Sequence, residues 1–294
     1  MADITLRAVG TKVNGTTSVV ISQPTGTLTD DILVAFVIDH KTSGVTTAPT
    51  GWTRQGGIAG TDGRFQVFTA VKGRNGLTGT SWTWSSLTTR AMGQIIGYYN
   101  GNPSAPIDCL PTARLNASGA SGTTQITTVA NGAMVIAAFA SLANGCTWSA
   151  EAVATSPALT EQADSAYSTY CSLAIAHGLK ATAGATGASS ATQSTGCANE
   201  GILLSLTTLQ VPVTVTPSPF VVTLAIQPPI ITGGSSIVPD AVALSFGMQV
   251  PDITGGATIS PDVVTLALEI QKEMVSGAAN IFVEPIVSAA YKKK

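Results

Sequence analysis

Charge is the scarcest property of this 294-residue chain. Asp, Glu, Lys and Arg together make up 10% of its residues, against about 25% in an ordinary globular protein. The formal net charge is −2, and only two histidines are present. Because so few cations cannot neutralise a polyanion, the composition predicts that nucleic acid is not a partner.

Aromatic residues and long apolar runs are also few. Aromatic residues account for 5% of the chain. The apolar run at residues 32–38 is far shorter than the roughly 20 residues that cross a bilayer as a helix, so we expect no membrane partner. The hydrophobic fraction of 44% and the mean hydropathy of +0.33 are nevertheless enough to build a core, which argues against charge-driven disorder.

Residues that usually carry chemistry are sparse and scattered. The four cysteines are Cys109, Cys146, Cys171 and Cys197. They show no CxxC spacing and no histidine at the spacing of a metal site, so we interpret them as small buried residues, with late disulfide formation as the alternative. His40 and His177 lie far from any Gly-x-Ser-x-Gly pattern, and no acidic cluster resembles a calcium loop. The sequence therefore predicts no catalytic residue, no metal and no cofactor, and a protein that is not an enzyme.

Strand patterns are abundant along the chain. Residues 32–38 form a continuous apolar run, which is typical of a strand buried on both faces. Residues 64–72 and 81–85 alternate polar and apolar residues, which predicts strands with only one face buried. Gly, Asn, Asp and Pro interrupt these runs at short intervals, so the fold class is predicted to be all-β, with jelly-roll or β-sandwich modules in tandem.

A faint duplication runs through the first 210 residues. Residues 31–36 are similar to 132–137, and residues 92–96 to 200–204, with offsets between 101 and 108. We interpret residues 1–110 and 111–210 as two related β-sandwich modules. The sequence leaves open whether they form two sandwiches or one fused sandwich.

A sharper repeat follows in residues 211–294. Pro217, Pro239 and Pro261 stand 22 residues apart, and alternating apolar residues recur in the same phase. These apolar residues are Val222, Leu224, Ile226, Leu244, Phe246, Met248, Leu266, Leu268 and Ile270. A unit this small cannot bury its apolar side chains alone, so the region predicts a short β stalk that joins copies of the chain into a homo-oligomer, with a trimer as the expected form.

The distribution of charge supports this interpretation of the repeats. No Lys or Arg occurs between Lys180 and Lys272, and this gap contains nearly the whole repeat region. Charge is therefore scarcest where chains are expected to pack against one another.

Tryptophans are the best remaining candidates for ligand binding. Trp82 and Trp84 share one face of a predicted strand, and Trp52 follows a glycine in a predicted turn. If exposed, they would form a platform on which sugar rings stack; if buried, they would be core residues of the sandwich. The sequence favours the buried arrangement.

Several stretches resemble structural proteins of tailed bacteriophages. Residues 48–53, 62–68 and 81–84 resemble β-sandwich modules of phage virion proteins, and residues 239–244 and 261–268 are similar to Pro- and Gly-punctuated repeats of phage fibres and decoration proteins. The resemblance implies a capsid decoration protein or a head or tail fibre, with major capsid, neck or tail proteins as further partners. It implies no catalytic residues.

The expected function is therefore structural. The chain is predicted to be a non-enzymatic virion protein, made in the host cytoplasm because residues 1–6 lead into a strand pattern without a signal peptide. A tail-associated adhesin that binds a host surface glycan is the alternative, and exposure of the tryptophans would favour it. A depolymerising enzyme would need an acidic cleft that the sequence does not predict.

Overall fold

The described part of the chain is built from β-strands. The computed structural model describes residues 3–60, 62–88, 90–116, 121–142 and 145–209, which contain antiparallel sheets and no helix. The predicted all-β class is therefore confirmed, while the jelly-roll assignment stays a prediction. These residues belong to a compact unit, Met1–Val211, and the predicted repeats lie outside the described residues.

The first half of this unit forms one large sheet and one small sheet. Its strands are β1 (Thr5–Val9), β2 (Val13–Gly15), β3 (Val19–Ser22), β4 (Ile32–Asp39), β5 (Thr53–Ala59), β6 (Arg64–Val71), β7 (Ser81–Trp84) and β8 (Ala91–Tyr99). The first large sheet has the order β1-β8-β4-β6-β5, with β2 also paired to β8. The first small sheet is the pair β3-β7.

The second half repeats this plan. Its strands are β9 (Ile107–Asn116), β10 (Ser121–Thr123), β11 (Thr127–Thr128), β12 (Ala133–Ser141), β13 (Trp148–Val153), β14 (Thr160–Tyr167), β15 (Cys171–Lys180), β16 (Gly184–Ala185), β17 (Ser189–Gln193) and β18 (Asn199–Leu206). The second large sheet has the order β9-β18-β12-β15-β14, and the second small sheet has the order β10-β17-β13. Strand for strand, the second large sheet follows the order of the first.

The two large sheets share one hydrophobic core. On β4, the side chains of Ile32, Val34 and Phe36 point into this shared core, and residues such as Ile136 of β12 and Leu204 of β18 meet them there. Each buried side chain of this size stabilises the fold by roughly 1.5–3 kcal/mol relative to exposure. The halves of the compact unit are thus fused through their large sheets.

Each large sheet also buries its second face beneath a small sheet. Leu33, Ala35 and Val37 of β4 pack with Trp84 of β7 in a first outer cluster. On the other side, Phe139 of β12 lies in a second outer cluster together with Val135 and Trp148. The result is four β layers. Strand β4 has a layer on each side and is therefore buried along its whole length, as the apolar run at residues 32–38 predicted.

Strand β6 differs from its prediction. The alternation in its sequence predicted one exposed face, but all eight of its residues are buried. The outer face is covered, so its polar side chains bond internally instead of to water. The Gln66 side chain accepts a hydrogen bond from the backbone N–H of Thr46 (3.0 Å), and Thr69 accepts one from Gln55 (2.7 Å).

Two glycines allow the small sheets to approach the large ones. A Cβ atom on Gly93 of β8 would lie 2.4 Å from Cδ1 of Ile21 in β3. A Cβ atom on Gly201 of β18 would lie 2.7 Å from the backbone oxygen of Gly122 in β10. Both distances are shorter than real side chains tolerate, so the two related strands use glycine for the same purpose.

Candidate functional site

The three tryptophans proposed as a sugar platform are buried. The exposed fractions of Trp52, Trp82 and Trp84 are 7%, 5% and 0%. Their rings meet edge to face, with centroids 5.4 Å apart for Trp52 and Trp82 and 4.9 Å apart for Trp52 and Trp84. Because a sugar must stack on an exposed ring face, these residues form core and not a platform. Of the two alternatives for the tryptophans, the structure shows the buried one.

The predicted oligomer interface cannot be placed on this structure. Its nine apolar residues, from Val222 to Ile270, lie outside the described residues. Their proposed role rests on the sequence repeat alone.

The histidines have structural surroundings. The His177 ring on β15 lies 3.1 Å from the Tyr98 hydroxyl on β8, so the two residues link the large sheets. Burial lowers the pKa of His177 and raises the pKa of Tyr98 well above its ordinary value. The ring of His40 lies 3.2 Å from the backbone oxygen of Tyr170. Both histidines thus contact groups of the opposite half.

The cysteines are free thiols in the described structure. Cys146 lies 3.0 Å from the hydroxyl of Ser172, and Cys197 lies 2.9 Å from the hydroxyl of Ser141. Burial raises the pKa of Cys171 to about 12, so this thiol stays protonated at neutral pH. Among the described residues, no three or more His, Cys, Asp or Glu side chains come together as a metal-binding group.

A buried ion pair closes one end of the first large sheet. Arg64 of β6 donates two hydrogen bonds to the carboxylate of Asp39 on β4, at 2.8 and 2.9 Å, and the two side chains are 1% and 0% exposed. The same guanidinium donates to the backbone oxygens of Ser86 (2.6 Å) and Ser43 (3.4 Å). The pair therefore holds two loops against the sheet, and its charges are satisfied.

A second buried acid, Glu200, is not satisfied in this way. It lies near the start of β18 and is 2% exposed, and its Oε2 atom has no hydrogen-bond partner among the residues that the structure describes. Burial, together with the negative charges of Asp62 and Asp39, raises the pKa of Glu200 to about 9. At neutral pH this carboxyl group is therefore protonated.

Glu200 lines a small cavity, which we call the Glu200 cavity. It has a volume of about 120 Å³ and also has Asp62, Asn116 and Asn199 among its polar lining residues. The side-chain amide of Asn116 donates to the side-chain oxygen of Asn199 (3.1 Å) and to the backbone oxygen of Gly122 (3.0 Å), which holds that wall in place.

The remaining walls of the cavity are apolar. Leu115, Leu142 and Ala198 contribute to them, and the backbone of Gly60 closes one side. A Cβ atom on Gly60 would lie 2.7 Å from Cδ2 of Leu115 and 3.4 Å from Oε1 of Glu200, so a larger residue would crowd the cavity. The cavity thus combines an acidic group with apolar walls.

Sequence reasoning missed Glu200, although the duplication carried a signal. Residues 92–96 match residues 200–204, so Met92 occupies in β8 the place that Glu200 occupies in β18. Met92 is fully buried in the shared core. A carboxylate at the place of a core methionine is the clue that sequence comparison of the two halves could have given.

Comparison with known proteins gives no assignment: no family model, curated protein or solved structure matches this chain. Within the described ranges, no helix is long and apolar enough to cross a membrane.

Proposed function

We propose that the chain is a non-enzymatic structural protein of a bacteriophage virion, a capsid decoration or fibre protein that assembles as a homo-oligomer. The observation that carries the proposal is the 22-residue repeat marked by Pro217, Pro239 and Pro261, in a segment without Lys or Arg. Such repeats bury their apolar faces only by stacking on neighbours or on other copies.

The described unit supports a structural role by the way in which it is built. Its two large sheets share one core, and each is covered on its second face. A unit with this much internal packing suits a protein that covers the surface of a particle. The repeats would supply the contacts between copies. The glycan-binding alternative loses its candidate platform because Trp52, Trp82 and Trp84 are buried.

The oligomeric state tests the proposal. We expect the full chain to sediment as a homo-oligomer, most simply a trimer, and a chain that ends at residue 210 to sediment as a monomer. Phe246→Asp in the full chain should weaken assembly, because it places a charge on the predicted apolar face. The control Asp240→Asn should leave assembly intact. A monomeric full-length protein would contradict the proposed assembly.

A second measurement addresses the virion. Antibodies against the described unit should label intact particles at regular positions in electron micrographs. Absence of the protein from purified particles would refute a virion role even if the chain is oligomeric.

A further inference from the structure

We propose that the Glu200 cavity binds the ammonium group of a lysine side chain presented by a partner protein. This proposal concerns the described unit alone and does not depend on the repeats. It rests on the charge, the walls and the size of the cavity, and on the comparison between the two halves.

The acidic groups of the cavity favour a cation, which would draw Glu200 into its charged form. Glu200 and Asp62 both line the cavity, and none of the described residues that line it is Lys or Arg. Asp39, which lies close enough to act on Glu200, is already bonded to Arg64. The Oε2 atom of Glu200 is buried without a hydrogen-bond partner in the described part of the chain, and a cationic donor would satisfy it by a charge-assisted hydrogen bond.

The walls favour an alkylammonium group over a bare metal ion. Leu115 and Leu142 offer contacts to methylene groups and no ligands to a metal. A calcium ion takes six to eight oxygen ligands, usually with several carboxylates, whereas the described residues contribute two carboxyl groups to the lining of the cavity. A lysine side chain has the matching combination of an apolar stem and a charged end.

The size of the cavity points to a single side chain. Its volume of about 120 Å³ is well below the roughly 300–1,000 Å³ of pockets that hold whole small-molecule ligands. Leu115, which forms part of the wall, is 48% exposed, so an apolar surface continues outside the cavity. A protein that inserts one lysine would also cover this leucine, which a free amine would not.

The duplication shows that the fold itself does not require the acid. Met92 fills the related place in the first half and is fully buried. Glycine follows in both strands, at Gly93 and Gly201, so the local backbone setting is the same. The acid at position 200 is therefore a feature of the second half and not of the architecture.

Binding of an ammonium group implies a definite proton step. The O–H bond of Glu200 breaks, water or buffer accepts the proton, and the resulting carboxylate accepts a hydrogen bond from the ammonium group. No other covalent bond forms or breaks.

The test uses the full-length protein and Nα-acetyl-lysine-N-methylamide as probe, with affinity measured by calorimetry. The norleucine analogue, which keeps the alkyl chain and lacks the ammonium group, serves as the matched ligand control. We expect the lysine probe to bind and the norleucine probe not to bind. Glu200→Met, which installs the residue of the first half, should weaken lysine binding by at least about tenfold, since hydrogen bonds between charged groups are the strong ones.

Two further variants keep the result interpretable. Glu200→Gln preserves the size of the side chain and should weaken binding to a similar extent, which covers the case in which Glu200→Met folds poorly. Glu161→Gln removes an exposed glutamate and should leave binding unchanged.

Three outcomes would overturn the proposal. The first is equal binding of the lysine probe by the wild type and both Glu200 variants. The second is binding of calcium chloride, but not of the lysine probe, in a Glu200-dependent way, which would make the cavity a metal site. The third is tight Glu200-dependent binding of butylammonium with no gain from the peptide-like groups of the lysine probe, which would indicate a free amine instead of a protein-borne lysine.

Discussion

The two halves of the described unit share a strand order but treat buried charge differently. In the first half, Asp39 and Arg64 are both buried, and two hydrogen bonds join them. In the second half, the buried acid Glu200 has an oxygen without a hydrogen-bond partner among the described residues, and burial keeps its carboxyl group protonated at neutral pH. The comparison teaches that this architecture buries an acid as an ion pair where a cation bonds it, and as a neutral group where none does.

Breaking the satisfied pair should have the largest effect. Arg64→Met leaves the Asp39 carboxylate buried without its partner and releases the backbone oxygens of Ser86 and Ser43. We expect the free energy of unfolding to fall by about 3–5 kcal/mol, which is the usual cost of removing one member of a buried pair. Urea unfolding followed by tryptophan fluorescence measures this change.

Two control variants show whether the unpaired carboxylate of Asp39 causes this loss of stability. Arg74→Met removes the exposed pair with Asp30, whose side chains are 38% and 50% exposed, and should leave the free energy of unfolding nearly unchanged, because solvent screens such a pair. The double variant Arg64→Met/Asp39→Leu removes both charges and should recover part of the loss. If the double variant is no more stable than Arg64→Met alone, the unpaired carboxylate is not the cause.

The burial of a strand could be predicted from the sequence where all of its side chains are apolar. The apolar run at residues 32–38 predicted a strand covered on both faces, and β4 is buried throughout. The alternation of polar and apolar residues in 64–72 predicted an exposed face for β6, and this prediction was wrong. A sequence pattern does not show whether a polar side chain bonds to water or to a partner inside the protein. Arg64 and Gln66 find their partners in residues 20 or more positions away in the sequence.

The candidate site was harder to predict for the same physical reason. Glu200 stands next to Asp62 only because strands from the two halves pack face to face, and no spacing within one strand reveals that contact. The tryptophans were the opposite case. The sequence favoured a buried face for them and left the exposed face as the alternative, and in the structure the face of the small sheet that carries Trp82 and Trp84 is buried.

Substitution of the related glycines Gly93 and Gly201 should lower stability by an intermediate amount, and it compares how tightly the small sheet packs in each half. Gly201→Ala places a methyl group against the backbone oxygen of Gly122, which cannot move without displacing β10. Gly93→Ala meets the end of the Ile21 side chain, which can rotate away. We expect losses of about 3 and about 1 kcal/mol respectively, within the range known for overpacking. Equal losses in urea unfolding would show that the two small sheets are equally free to shift.

The pH dependence of Glu200 should produce a smaller effect than Arg64→Met or Gly201→Ala. Its pKa of about 9 in the folded protein lies above the value of 4.5 for an ordinary glutamate. Between these values the folded state keeps a proton that the unfolded state has released, so stability falls as the pH rises. A single proton allows at most about 1.4 kcal/mol per pH unit. Because the cavity admits water near the carboxyl group, we expect a smaller loss, about 1–2 kcal/mol between pH 6 and pH 8.

Glu200→Gln isolates this contribution, because glutamine has a similar shape and does not titrate. The stability of the wild type relative to this variant should decline through the window and level off above about pH 9, where the folded state also loses the proton. The comparison variant Glu161→Gln removes an exposed acid whose pKa is also raised, by partial burial and by the charges of Glu151 and Asp164, and it should change the pH profile less than Glu200→Gln does. A wild-type profile parallel to that of Glu200→Gln would mean that Glu200 titrates as it does in the unfolded chain. The unsatisfied acid would then be stabilised by a partner, and the contrast between the two halves would disappear.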